Sequence, residues 1–260
     1  MRRLFVPLLL CGCASTPARV DVGGYRLSAE LERGRSPTVV FESGGGGDTS
    51  LWTEVEDEIR RRTGVATVRY YRAGMGPSDG APGPYRIDDE VAALGRLLDR
   101  LEVRGDLVLV AHSYGGFIAA LFARRDPRVR GVVLVDSNLV EFYDDAQVAR
   151  LMAQAEPELP AMRRERPGTA RMLAGFPATI RRMREVSFPP GLRIISIATR
   201  GPYESPDEAR RWSAAHRAFA AGSPSRELLH AASSSHVVMR DRPDLIVDAV
   251  SRLVGELRGR

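Results

Sequence analysis

The segment Leu107-Val108-Leu109-Val110-Ala111 is apolar at every position and too short to be a buried helix. A half-exposed strand alternates polar with apolar residues, so this run reads as a strand covered on both faces. Val129 to Val135 and Leu192 to Ala198 have the same character, and Thr38 to Glu42 and Val65 to Tyr71 read as further strands. Between them, apolar residues recur at helical spacing in Trp52 to Arg62, Asp88 to Leu101, Gly115 to Arg124, Pro206 to Ala221 and Pro243 to Leu257. Val20 to Leu31, broken by Gly23-Gly24, reads as a hairpin, and Glu227 to Ala232 as the last strand. Apolar strands alternating with helices predict an α/β fold, with a mostly parallel eight-stranded sheet and helices on both faces.

One stretch breaks the rhythm. Residues 139–190 look helical, carry Pro157, Pro160, Pro167 and Pro177, and hold no clear strand. An insertion of that size between two strands is read as a helical lid. With 260 residues and 43% hydrophobic content, the chain suits one large domain over residues 20–260 that includes this insertion. All 38 basic residues are Arg, and acidic residues are interspersed among them, so the net charge of +5 reads as a solvated surface with no nucleic-acid partner. Arg163, Arg164, Arg166, Arg171, Arg181, Arg182 and Arg184 in the lid read the same way. The alternative for them is a surface for anionic headgroups or an anionic substrate. Met152, Met162, Met172 and Met183 either line an adaptable pocket or pack the lid.

Cys11 and Cys13 are the only cysteines, which excludes a disulfide framework and a Cys-based metal or catalytic site. Met1-Arg2-Arg3 is a positive start, and Leu4 to Leu10 is an apolar run too short to span a bilayer. Leu10-Cys11-Gly12-Cys13 resembles a bacterial lipobox, in which a small residue precedes the cysteine that is lipidated. Residues 1–12 are therefore expected to be a signal peptide, Cys13 the lipidated residue and 13–19 a tether. The resulting lipoprotein is expected on the periplasmic side of a membrane. An ordinary secretory signal cleaved near Cys13-Ala14 is the alternative.

Val110-Ala111-His112-Ser113-Tyr114-Gly115-Gly116 ends a strand and opens a helix. A tight turn at that junction needs small residues two before and two after its centre, which Ala111 and Gly115 supply. It would lift Ser113 above the sheet edge, beside a helix N-terminus that favours developing negative charge. A serine hydroxyl attacks only when a base takes its proton. There are four histidines. His112 adjoins Ser113 and should point away from it, His216 lies mid-helix and His230 within a strand. His236, in the loop before the last helix, remains as the candidate base.

These motifs, with Val40 to Gly47, Tyr70 to Ser78, Val133 to Ser137 and Ser235 to Val238, resemble the α/β-hydrolase superfamily over nearly all the chain after residue 19. Ser43 stands where the family's oxyanion loop usually has His, and Tyr71 where its Arg-Gly loop usually has Asp. Both departures bear on subfamily and substrate. The resemblance implies a serine hydrolase acting on a small-molecule ester or amide through an acyl-enzyme, without a cofactor or a metal. It implies Ser113 as nucleophile, His236 as base, and the N–H groups of Gly45 and Tyr114 as the oxyanion hole. For the acid it offers two places. Thr199-Arg200-Gly201-Pro202 lacks a carboxylate at the commoner one, with Glu204 and Asp207 beyond it. Asp136, after the preceding strand, is preferred. Asp136→Asn is expected to lower turnover with little change in folding. Trp52 and Tyr71 read as support. Gly44 to Gly47 lacks the Lys and Ser/Thr of a phosphate loop. Ser113 speaks against dehalogenases and epoxide hydrolases, which use an aspartate nucleophile. A cofactor-free haloperoxidase or acyltransferase, and a non-catalytic binding lipoprotein that kept the fold, are the rival readings.

Overall fold

A computed structural model describes residues 17–259. One sheet holds β1 (Ala18–Asp21), β2 (Arg26–Glu32), β3 (Arg35–Glu42), β4 (Val65–Tyr70), β5 (Leu107–His112), β6 (Val129–Val135), β7 (Arg193–Ala198) and β8 (Arg226–His230). Their spatial order is β1-β2-β4-β3-β5-β6-β7-β8. The first two pairings are antiparallel, and every pairing from β4 to β8 is parallel. The eight-stranded, mostly parallel sheet is the one that the apolar runs predict. β1 begins at Ala18, which pairs with Ala29, so the tether expected to extend through residue 19 already lies in the sheet at its last two positions. The expected signal peptide and Cys13 lie outside the described residues.

The reason β5 is apolar throughout is now explicit. Leu107, Leu109 and Ala111 face one core, and Val108 and Val110 face the other, because successive side chains leave a strand on opposite sides. The first core is closed by α2 (Ile87–Arg100), α3 (Gly115–Arg125) and α8 (Pro206–Ala221), through Leu94, Leu97, Phe117, Phe122, Trp212 and Phe219. The second is closed by α1 (Thr53–Thr63) and α10 (Pro243–Arg258), through Val55, Ile59, Ile246, Val250 and Leu253. A four-residue helix, α9 (Val238–Asp241), precedes α10 and was not expected.

Between β6 and β7 the chain forms α4 (Asp145–Ala155), α5 (Leu159–Glu165), α6 (Pro167–Ala174) and α7 (Phe176–Met183). Asp144 caps α4 by accepting from the Gln147 N–H at 2.7 Å. Pro160, Pro167 and Pro177 read as interruptions, but each sits in the first turn of a helix. There the missing N–H costs nothing and the fixed φ suits the start. Phe176, Ile180 and Met183 tie α7 to the core. Arg171, Arg182 and Arg184 bind Glu90, Asp88 and Asp145, whereas Arg163, Arg164 and Arg166 are exposed. Among the described residues no helix is long and apolar enough to cross a membrane. Because β3, β5, β6 and β8 run parallel, the segments that follow them all emerge at one edge of the sheet.

Candidate active site

Ser113 sits at that edge with φ 51, a left-handed conformation unusual for a residue with a Cβ. The turn is held by its surroundings. The Ser113 N–H donates to Val135 O at 3.2 Å, and the Ser113 carbonyl accepts from Asn138 N at 2.8 Å and Gly116 N at 3.0 Å. Two glycines let the following helix approach the neighbouring strands. A Cβ on Gly115 would lie 2.7 Å from Glu42 O, and one on Gly116 2.6 Å from Ser137 Cβ. Ser113 is only half-buried, unlike its chain neighbours.

Asp136 follows β6, also left-handed at φ 42, and is fully buried. Its Oδ2 lies 2.7 Å from His236 Nδ1 and accepts from Thr199 Oγ1 at 2.6 Å. Its Oδ1 accepts from Thr199 N and from Trp212 Nε1, both at 2.9 Å. Burial alone would raise this carboxyl, but the His236 bond and charge and the Thr199 donors outweigh it and hold it below its usual range. An amide at 136 can keep its oxygen on Thr199 N and Trp212 Nε1 and point its NH₂ at Thr199 Oγ1 and His236 Nδ1, which can both accept, the ring by taking its other tautomer. Asp136→Asn therefore disturbs the His236 tautomer more than the fold. Glu204 and Asp207 are exposed, and Asp207 pairs with Arg210 in its own helix.

His112 turns away from Ser113 but is not a bystander. It is buried, and its Nε2 lies 2.9 Å from the His236 carbonyl oxygen. A carbonyl only accepts, so Nε2 carries the proton. Burial first, then the neighbouring His236, pushes the His112 imidazole down to about 4. The ring thus props the His236 loop while staying neutral. His216 is fully buried against Trp212, with Nδ1 3.0 Å from Ser196 Oγ. Burial pushes it down to about 4 as well, against the pull of Asp136.

Gly44, Gly45, Gly46, His112, Ser113 and His236 line a common cavity of about 240 Å³. A second cavity, of about 450 Å³, shares Gly46 and runs between residues 73–80 and 165–171. The N–H groups of Gly45 and Tyr114 donate to no acceptor among the described residues. The Tyr114 side chain points instead into the inserted helices, its hydroxyl 2.9 Å from Tyr85 OH and 3.2 Å from Thr179 Oγ1. Thr169 of α6 donates to Gly45 O at 3.1 Å, and Gly168 N to Gly74 O at 3.1 Å. A Cβ on Gly168 would overlap the Gly74 carbonyl. Under the glycine loop, Arg72 pairs with Glu42, which also accepts from Tyr70 OH. Burial raises the Glu42 carboxyl although Arg72 pulls it down. Arg72 further donates to Ser43 O and Gly44 O, each at 2.6 Å. Trp52 is core, and its Nε1 donates to Ser43 Oγ at 3.2 Å.

The structure thus brings Asp136 to His236, and places Gly45 and His236 around the Ser113 cavity. Sequence reasoning missed Thr199, Trp212, His112 and the Arg72–Glu42 pair. A charged pair at the ends of two strands consecutive in the sequence was a usable signal for the last. For Trp212, 76 residues from its acceptor, the sequence carries none.

A family model described as "Alpha/beta hydrolase family" matches residues 39–249. YqjL of Bacillus subtilis, an uncharacterized protein, is 32% identical over 120 residues, covering 45% of this chain and 47% of YqjL. The chain spans less than half the length of the curated relatives it matches. Among solved structures, AqDC, studied for recognition and ring-cleavage of the Pseudomonas quinolone signal, is similar with a TM-score of 0.70 and 21% identity, over 92% of this chain and 99% of that one. The esterase EaEST from Exiguobacterium antarcticum is similar with a TM-score of 0.66 and 14% identity, over 94% and 100%. At such identities the likeness is one of fold.

Two predictions follow from the geometry. Ser113→Gly should be more stable than Ser113→Ala by about 0.5–1 kcal/mol, since relief of about 1–2 kcal/mol of left-handed strain exceeds glycine's added unfolded freedom. A Ser113→Ala urea midpoint above that of Ser113→Gly would show the turn to be unstrained. The second concerns pH. Between 6.5 and about 4 the unfolded chain protonates at His216 while the folded chain does not. Stability from this group is complete above pH 6.5 and falls by about 1.4 kcal/mol per unit below it. His216→Gln should flatten the urea-measured stability profile over that range, and parallel profiles would contradict it.

Proposed function

Because the chain belongs to the alpha/beta hydrolase family, we propose that it is a serine hydrolase cleaving a carboxylic ester, less readily an amide, through an acyl-enzyme on Ser113. The observation that carries the reading is the 2.7 Å contact between the buried Asp136 carboxylate and His236 Nδ1, at the cavity that exposes Ser113. A carboxylate on Nδ1 fixes that nitrogen as the protonated one and leaves Nε2 as the acceptor. His236 Nε2 then takes the Ser113 Oγ proton as Oγ bonds to the substrate carbonyl carbon. The carbonyl oxygen becomes an oxyanion, held by the N–H groups of Gly45 and Tyr114. The same proton passes to the leaving alkoxide, the ester C–O bond breaks, and Ser113 is acylated. Water, deprotonated by His236, releases the acid and restores Oγ–H. Residues 139–190 cover the site as its lid, and the substrate is a small molecule reaching Ser113 from the paired cavities.

The neighbours that share this fold include an esterase, a bromoperoxidase and a ring-cleaving protein. Covalent labelling of Ser113 together with ester turnover separates acyl transfer from a reaction that uses His236 without acylating Ser113. Wild type should be labelled stoichiometrically by a fluorophosphonate and should hydrolyse activated esters, and Ser113→Ala should do neither. A folded wild type that never labels and cleaves no ester of a graded chain-length panel would sink the reading. Asp136→Asn should lower kcat by orders of magnitude, on the order of 10⁴ in a serine protease triad. Glu204→Gln and Asp207→Asn should remain near wild type. Activity lost in either of those and kept in Asp136→Asn would move the acid to the later strand.

The N-terminal segment adds a location. Gly12-Cys13 after a positive and apolar start supports export, cleavage before Cys13 and a lipid anchor on the periplasmic side of a membrane. The mature protein should begin at an acylated Cys13 and fractionate with membranes, and Cys13→Ser should release or mislocalise it. Mass spectrometry finding an unmodified mature N-terminus would refute the anchor.

A further inference from the structure

We infer that Arg72 is a positioning residue for the oxyanion hole: its guanidinium locks the Gly44–Gly45 peptide so that the Gly45 N–H faces the Ser113 cavity. The inference rests on the acyl-transfer reading above and adds a residue to it. Arg72 stands just past β4 and is buried, reaching under the loop that follows β3. Its Nη1 binds the Glu42 carboxylate and donates to Ser43 O at 2.6 Å, while Nη2 donates to Gly44 O at 2.6 Å. A peptide unit is planar, and the C=O and N–H of a trans unit point opposite ways. The one cis bond among the described residues is Ser36–Pro37. Fixing Gly44 O toward Arg72 therefore directs the Gly45 N–H away from it. Gly44, Gly45 and Ser113 line one cavity and Arg72 does not, and the facing of the Gly45 N–H into that cavity is the inferred part. That N–H has no acceptor among the described residues.

A run of four glycines needs such a lock. Glycine takes either sign of φ with little penalty, so the Gly44–Gly45 peptide would otherwise be free to flip. A flip would replace the N–H donor with a carbonyl oxygen, which repels an oxyanion. The next peptide is held separately, by Thr169 on Gly45 O. Arg72 also lies over the Tyr114 ring, 5.7 Å from its centroid, so one side chain touches the supports of both donors. A role in stability alone accounts poorly for the pair. Buried ion pairs are commonly replaceable by apolar residues at no loss, and Arg72 Nε is itself buried without a partner. What an apolar pair cannot do is hold two successive carbonyls with one rigid fork.

The test is Arg72→Lys, which keeps the charge beside Glu42 but loses the fork. Ser113 is converted to the hemiketal of a trifluoromethyl ketone carrying ¹³C at the carbonyl, and the ionisation of the hemiketal oxygen is followed by NMR. The variant should raise that hemiketal pKa by about one unit or more and lower kcat for an activated ester about tenfold to a hundredfold, with KM nearly unchanged. In the wild type, the Gly45 amide proton should shift downfield when the adduct forms. If Arg72→Lys does not fold, Glu42→Gln/Arg72→Met removes both charges together, and the same shifts are expected there. A folded variant with wild-type hemiketal pKa and kcat, or a Gly45 amide that does not respond, overturns the inference while leaving acyl transfer intact. A wild type that forms no adduct overturns acyl transfer and this inference together.

Discussion

A carboxylate with no exposed surface stands at the end of β6, and four donors from three other parts of the chain converge on it. Thr199 follows β7, Trp212 belongs to α8, and His236 lies in the loop before α9. An isolated ion in that position would be neutralised, since the interior offers nothing to replace its hydration. Asp136 remains ionised because each oxygen has two partners, and the same bonds fix those partners. The His236 loop is thus tied from two sides, by Asp136 through the ring and by His112 through the carbonyl. The orientation of the proposed base follows from burial of the acid.

The two strained residues of the sheet edge, Ser113 and Asp136, end adjacent parallel strands. Each backbone N–H donates to the next strand over, Ser113 N to Val135 O and Asp136 N to Ile197 O. The ladder therefore continues one residue past β5 and β6, and its bonds offset the cost of the left-handed turns. Parallel order matters here: it delivers the ends of β3, β5, β6 and β8 to one edge, so that residues far apart in sequence share one cavity.

Much of this architecture is legible in the sequence because it is local. An apolar run such as Val129 to Val135 declares its burial by itself, and Ala111 and Gly115 declare the turn around Ser113 by their size. What was not legible depends on distance in the chain. Trp212 looks like any apolar residue of an amphipathic helix, yet its indole N–H is spent on Asp136. His112 looks like a neighbour of Ser113 facing elsewhere, and only the fold shows that elsewhere is the His236 carbonyl. The prolines of residues 139–190 read as breaks because a proline marks both the end of one helix and the start of the next. Whether Asp136 or a later carboxylate approached His236 was open for the same reason, since the reach of a loop is not written in its composition.

The backbone-to-backbone contact of Gly168 with Gly74 divides the inserted helices into two kinds. No side chain fits on Gly168 against the Gly74 carbonyl, and the next residue, Thr169, grips the glycine loop. From α6 onward the insertion is thus part of the same solid body as the sheet edge. α4 and α5 have few buried positions and carry no comparable restriction. Diversification of the chain, by drift or in a laboratory library, has its tolerant ground in α4 and α5, past the buried Leu139, Phe142 and Tyr143, where helices can be lengthened, exchanged or recombined. Positions 74 and 168 form the seam at which a borrowed segment has to be joined.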